Sequence, residues 1–192
     1  MRRVILLFIA SLFLLACNSK SGTSQGSETS AENQTDVKVG IKIGERAPDL
    51  VFESPEGEKI SLSSLRGKMV LIDFWAAWCS PCRAENPNLV KTYRRFRDKE
   101  FINAAGFINA AGFTVYGVSL DKSKENWVGA IEKDSLEWES HVSDLKGWQS
   151  VPAAMYGVMQ IPMNFLIDGD GIIVAKGLRC EYLDNKLKEL LK

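Results

Sequence analysis

Residues 69–82 read Met69-Val70-Leu71-Ile72-Asp73-Phe74-Trp75-Ala76-Ala77-Trp78-Cys79-Ser80-Pro81-Cys82. The stretch from Met69 to Trp75 is nearly all apolar and follows Gly67, the composition of a central strand covered on both faces. Beyond the cysteines, Leu89, Tyr93 and Phe96 fall at helical spacing among charged residues, so a helix is expected from Ser80 to about Lys99, kinked at Pro87. A Cys-x-x-Cys at such a strand-to-helix junction is far more specific than the bare pattern. Cys79 then stands at the helix N-terminus, where unpaired N–H groups and the macrodipole favour a thiolate and lower its pKa below the roughly 8.5 of free cysteine. Cys82 lies one turn on, on the same face, within reach of a mixed disulfide formed by Cys79. Pro81 fits the first turn, where its missing N–H removes no helical bond. These residues suit thiol–disulfide exchange, with Cys79 as nucleophile and Cys82 as resolving thiol.

Working outward, Leu50–Phe52 and Lys59–Ser61 flank the turn-forming Ser54-Pro55-Glu56-Gly57 and are expected to pair as a hairpin, with a short helical turn over Ser61–Leu65. Phe113–Leu120 reads as the next strand, followed by a helix through Trp127 and Ile131 and another from Trp148 to Tyr156. Met163–Asp168 and Ile172–Ala175 flank Gly169-Asp170-Gly171, a hairpin turn, and Tyr182–Leu191 closes the chain as an amphipathic helix. Alternating strand and helix units ending in an antiparallel hairpin imply one α/β domain over residues 41–192, with a mixed sheet. Phe101-Ile102-Asn103-Ala104-Ala105-Gly106 is repeated at once as Phe107–Gly112. Two copies are too few to stack as a solenoid, so this reads as a local duplication lengthening one connection.

The chain of 192 residues suffices for one hydrophobic core, and 24 Lys and Arg balance 24 Asp and Glu. That balance supplies no field for nucleic acid. Arg2 and Arg3 precede an apolar run from Val4 to Ala16, the length of a signal-peptide core and too short to span a bilayer. The run ends Leu14-Leu15-Ala16-Cys17, which resembles the lipobox of bacterial lipoproteins. On that resemblance residues 1–16 are a removable signal peptide and Cys17 becomes the lipidated first residue, anchoring the protein in the cell envelope on the periplasmic side. Residues 17–40 are rich in Ser, Thr, Gly, Gln and Asn and read as a flexible tether.

Phe74-Trp75-Ala76 and Trp78-Cys79-Ser80-Pro81-Cys82, with Ile161-Pro162 downstream, resemble a thioredoxin. Ala47-Pro48-Asp49, the segment from Ser61 to Lys68, and Glu85-Asn86-Pro87 resemble the membrane-anchored TlpA/ResA subgroup. The resemblance covers about Gly44 to Lys192. It implies a thioredoxin fold with an added N-terminal hairpin, a cis peptide before Pro162, and an Ile161 backbone that pairs with the substrate chain. It matches Asp73 to the buried aspartate of thioredoxins and Glu85 to the cavity glutamate of ResA-like proteins, leaving open which one carries the resolving thiol's proton. Trp78 and Pro81 would line the client site. The expected partners are protein thiol or disulfide clients and a membrane electron donor; no cofactor or metal is needed, and a monomer is expected. Ser80-Pro81 offers no histidine to stabilise the thiolate further, which favours a reductant over a dedicated disulfide donor.

Other residues receive plainer readings. Cys180 is expected to be a partly buried small apolar side chain, His141 a surface residue, and Trp127, Trp138 and Trp148 amphipathic core positions. Trp75 and Trp78 are expected as packing and site walls. Two rival functions stand: a peroxidase on the same fold, since Ala47-Pro48-Asp49 also occurs in peroxiredoxin-like chains, and a module that binds metal or client without turnover.

Overall fold

The structure, a computed structural model, describes residues 37–192. The expected signal peptide, Cys17 and most of the expected tether lie outside the described residues. A hairpin opens the domain: β1 (Val51–Glu53) and β2 (Lys59–Ser61) pair antiparallel around Ser54, whose hydroxyl accepts from the N–H groups of Glu56 and Glu58. A 3₁₀ turn over Leu62–Leu65 follows, capped by the Ser61 hydroxyl. Next come β3 (Met69–Trp75), α1 (Ser80–Phe96), the short β4 (Glu100–Ile102) and β5 (Ile108–Ala111), and β6 (Phe113–Ser119). The chain finishes with α2 (Lys124–Lys133), β7 (His141–Ser143), α3 (Val151–Met155), β8 (Met163–Ile167), β9 (Ile173–Lys176) and α4 (Cys180–Glu189).

Seven strands form a mixed sheet in the order β2-β1-β7-β6-β3-β8-β9, with β3, β6 and β7 parallel and the outer strands antiparallel. All seven residues of β3 are buried, as its apolar run requires of a strand between two neighbours and under two layers. Phe74 packs on Tyr156 and Phe165 with ring centroids 5.5 and 6.2 Å away, and each such aromatic contributes on the order of 1.5–3 kcal/mol by leaving water. Trp75 ends the strand, so the chain leaves the sheet at the carboxyl ends of the parallel strands, where open α/β sheets place their sites.

Three expectations are corrected. The helix expected over Trp148–Tyr156 is split: a 3₁₀ turn at Gly147–Gln149 stops at Ser150, whose non-helical backbone (φ −59°, ψ 127°) makes it the N-cap of α3, with Pro152 in that helix's first turn. Trp148 is therefore half exposed, 52 %, and not a core residue. His141 is not on the surface but belongs to β7, a strand absent from the sequence reading, where it is 5 % exposed and stacks on Trp138. The duplicated segment does lengthen one connection, that between α1 and β6, and within it folds back as the β4–β5 hairpin, separate from the main sheet. This hairpin bonds to the ends of other elements, Ile102 N–H to Leu190 O and Ala111 N–H to Gly67 O, at the sheet end opposite the cysteines.

Candidate active site

Cys79 is the N-cap of α1, with extended backbone (φ −83°, ψ 95°), and its Sγ accepts the Cys82 N–H at 3.2 Å. Pro81 sits in the first turn, and the helix runs on through Pro87 as a single element. The two cysteines are joined as a disulfide, Cα atoms 5.2 Å apart, and both sulfurs are nearly enclosed. Trp78 beside them is half exposed and packs on Trp148, ring centroids 6.1 Å apart, forming an aromatic wall next to the pair.

The approach to Cys79 is held from two sides. Asp121, buried at the end of β6, accepts the Ala77 N–H at 2.9 Å and the Ser119 hydroxyl at 2.8 Å. Arg83 Nη1 donates to the Ala77 carbonyl at 3.2 Å while its other nitrogens grip both oxygens of Asp134, which also accepts from Asn86 at 2.7 Å. Burial alone would raise the Asp134 carboxyl, but the bonds from Arg83 and Asn86 outweigh it and hold the group below its ordinary range. Sequence reading missed Asp121 and Asp134, which lie 44 and 51 residues from the groups they bind and carry no local signal.

Behind the pair, Asp73, Cys82, Glu85, Pro162, Asn164 and Cys180 are among the residues lining a cavity of about 20 Å³, room for one water. Asp73 is 7 % exposed; burial is the main cause that pushes its carboxyl up to about 7, the nearby Glu85 adds to the shift, and Arg179 opposes it. Asn164 faces Asp73 across the β3–β8 pairing and exchanges two amide bonds with the Leu178 backbone, both 2.8 Å. The Ile161–Pro162 bond is cis, as the thioredoxin resemblance implies, and Arg179 donates to the Pro162 carbonyl. Ile161 and Pro162 are part-buried at this rim. Glu85 is not free in solvent: its carboxylate crosses to the start of α4 and accepts from Cys180. Cys180 is corrected accordingly, from a small apolar packing residue to an exposed thiol bonded to Glu85. The expected residues Asp73, Cys79, Pro81, Cys82, Glu85 and Pro162 thus gather around one pole of the sheet.

Among the described residues no cluster of His, Cys, Asp or Glu is arranged to hold a metal ion, and no helix is long and apolar enough to cross a membrane. His141 is enclosed, and burial pushes its imidazole down to about 4, so it stays neutral at ordinary pH. The position three residues before Cys79, where a peroxidatic setting would require threonine, is Ala76. Asp49 of the Ala47-Pro48-Asp49 segment is occupied in holding the N–H and hydroxyl of Ser63, at 2.8 and 2.7 Å.

Comparison with known proteins gives the same picture. The AhpC/TSA family model matches residues 43–176. The thiol-disulfide oxidoreductase ResA of Bacillus thuringiensis subsp. konkukian is 28% identical over 193 residues, covering 100% of this chain and 98% of the relative. The thioredoxin-like protein YneN of Bacillus subtilis is 34% identical over 136 residues, 71% of each chain. Among solved structures, the thioredoxin domain of a thiol-disulfide oxidoreductase from Bacteroides vulgatus superposes with a TM-score of 0.66 at 38% identity, covering 77% of this chain and 96% of that one. A disulfide-bonded cysteine pair caps a helix at the end of a central strand, and with these relatives the class follows: the chain belongs to the AhpC/TSA family and is a thioredoxin-like thiol–disulfide oxidoreductase.

Proposed function

We propose that this oxidoreductase reduces disulfides of selected proteins outside the cytoplasm, held to the membrane by a lipid on Cys17. In the reduced chain the Cys79 thiolate attacks one sulfur of the client disulfide; the Cys79–client S–S bond forms, the client bond breaks, and the leaving client thiolate takes a proton from solvent. Cys82 then gives its proton to the cavity carboxyl of Asp73 and attacks Cys79. The Cys79–Cys82 disulfide forms, the client's second sulfur leaves reduced, and the pair has surrendered two electrons. A membrane-held dithiol donor restores them. Asp73 suits the proton step because a carboxyl that titrates at about 7 can accept and release a proton at working pH. Glu85 acts at the cavity mouth, raising the proton affinity of Asp73 by its charge.

One observation carries the reading: the Cys79 sulfur accepts an N–H of the first turn of α1, the contact that favours its anion over its thiol. Trp78 and Pro81 bound the client's approach, and the Ile161 backbone at the cis-proline rim pairs with the client chain. The protein acts as a monomer and uses no cofactor, since the dithiol itself holds both electrons.

Reduction of insulin disulfides by the full-length chain, with dithiothreitol as electron source, tests this. Cys79→Ser should fall to the uncatalysed background; wild type itself no faster than that background, and so no faster than Cys79→Ser, would favour a binding module without turnover. The reduction potential tests direction: a value nearer to the thioredoxin level of about −270 mV is expected, and one near the roughly −120 mV of a strong oxidase would reverse the assignment.

A further inference from the structure

Cys180 opens α4 with a φ of +42°, in the left-handed region that residues other than glycine seldom adopt. In this conformation two donors of one residue face one carboxylate. The Cys180 N–H donates to Glu85 Oε1 at 2.5 Å and its Sγ donates to Oε2 at 3.3 Å, while Asn88 Nδ2 reaches the sulfur at 3.7 Å. Glu85 thereby supplies, from α1, the cap that α4 lacks, since Arg179 in the N-cap position makes no side-chain bond to it. The bond to Glu85 also pushes the Cys180 thiol up, with burial and the charges of Glu85 and Glu181 adding to the shift, so at neutral pH the sulfur is a hydrogen-bond donor and not a nucleophile. A second observation ties this contact to the chemistry. Glu85 and Cys180 line the same cavity as Cys82 and Asp73, and the enclosed Asp73 carboxyl feels the Glu85 charge.

We propose that Cys180 is a positioning residue of the exchange reaction: its thiol fixes the second oxygen of the Glu85 carboxylate at the mouth of the cavity behind Cys82, and removing or capping that thiol leaves Glu85 held by the Cys180 N–H alone, free to turn, and slows resolution. The proposal rests on the disulfide-exchange reading above. It places Cys180 outside the electron path, acting on Cys82 only through Glu85 and Asp73.

The test separates the two half-steps in the full-length reduced chain, with a symmetrical aromatic disulfide whose first thiol is released on capture by Cys79 and whose second is released on resolution by Cys82. Cys180→Ala should slow the second release about fivefold, the worth of one ordinary hydrogen bond, and leave the first unchanged. Cys180→Ser retains a donor and should stay within about twofold of wild type in both steps. Iodoacetamide applied to the oxidised chain at alkaline pH, where the Cys180 thiol ionises, with capping of this free thiol confirmed by peptide mass, should reproduce the slow second release after reduction at neutral pH. The same treatment of Cys180→Ala should add nothing. Equal second release in wild type, Cys180→Ala and the capped chain would overturn the proposal. So would equal slowing of both steps together with a lowered Tm, which would make Cys180 a packing residue. If wild type releases neither thiol, the exchange reading itself fails, and the positioning role with it.

Discussion

Asp73 is where the chemistry and the stability of this protein pull in opposite directions. Its carboxyl titrates at about 7 in the fold against an ordinary 3.8, because burial penalises the anion. Between those values the folded chain binds more protons than the unfolded one, so stability falls as pH rises. The penalty is absent below about pH 3.8 and complete above about pH 7, where it amounts to roughly 4 kcal/mol. Asp73→Asn should therefore gain a few kcal/mol of unfolding free energy at pH 8 and nothing near pH 3.5, measured by urea denaturation, while resolution by Cys82 slows and loses its titration near neutrality. An aspartate kept at such expense is what a proton carrier requires. Its position was legible in the sequence, since one polar residue in an apolar strand close to a cysteine pair stands out. Two of the partners that set its behaviour were not: Arg179 comes from the loop before α4, far along the chain, and only the β3–β8 pairing brings Asn164 and that loop beside Asp73.

At the scale of elements, local patterns were the readable ones. β3 and α1 show their periodicity within a single stretch and adjoin the cysteines, so strand, site and helix could be read together. β7 has only three residues, and a strand that short offers too few positions for any alternation to register. Its histidine is buried because Gly117 of β6 leaves space: a Cβ there would come within 3.3 Å of His141 Nδ1 and Trp138 Nε1. The His141 ring is held neutral, with its pKa lowered from 6.5 to about 4, so its contribution is present above about pH 6.5 and is lost as pH falls through about 4. His141→Gln should flatten that acid limb, read as Tm between pH 7 and pH 4. The repeated hexapeptide shows context overruling sequence. Phe101 of the first copy is fully buried against Phe96, while Phe107 of the second is 71 % exposed at the hairpin tip. Phe101→Ala should cost about 3–5 kcal/mol, and Phe107→Ala, the same change in the same local sequence, about 0.5 kcal/mol or less, both measured by denaturation.

On the scale of the whole molecule, the mixed sheet divides the labour between its two ends. The carboxyl end of β3 carries Cys79, the cis-proline rim and the cavity, and the opposite end carries the β4–β5 hairpin, anchored to the chain terminus. Changes to the hairpin can therefore alter stability without touching exchange. The proposed N-terminal lipid anchor is tested on the full chain: Cys17→Ala should move the protein from the membrane fraction to the soluble fraction of the expressing cell, since acylation contributes roughly 0.8 kcal/mol per buried methylene. The central claim is that the sulfur capping α1 attacks and the sulfur one turn later resolves, and intact-mass and peptide-mapping analysis of Cys82→Ala after exposure to a disulfide-bonded client tests it most directly. A stable adduct carrying one client thiol on Cys79 is the expected result; no adduct, or one mapped only to Cys180, would contradict it.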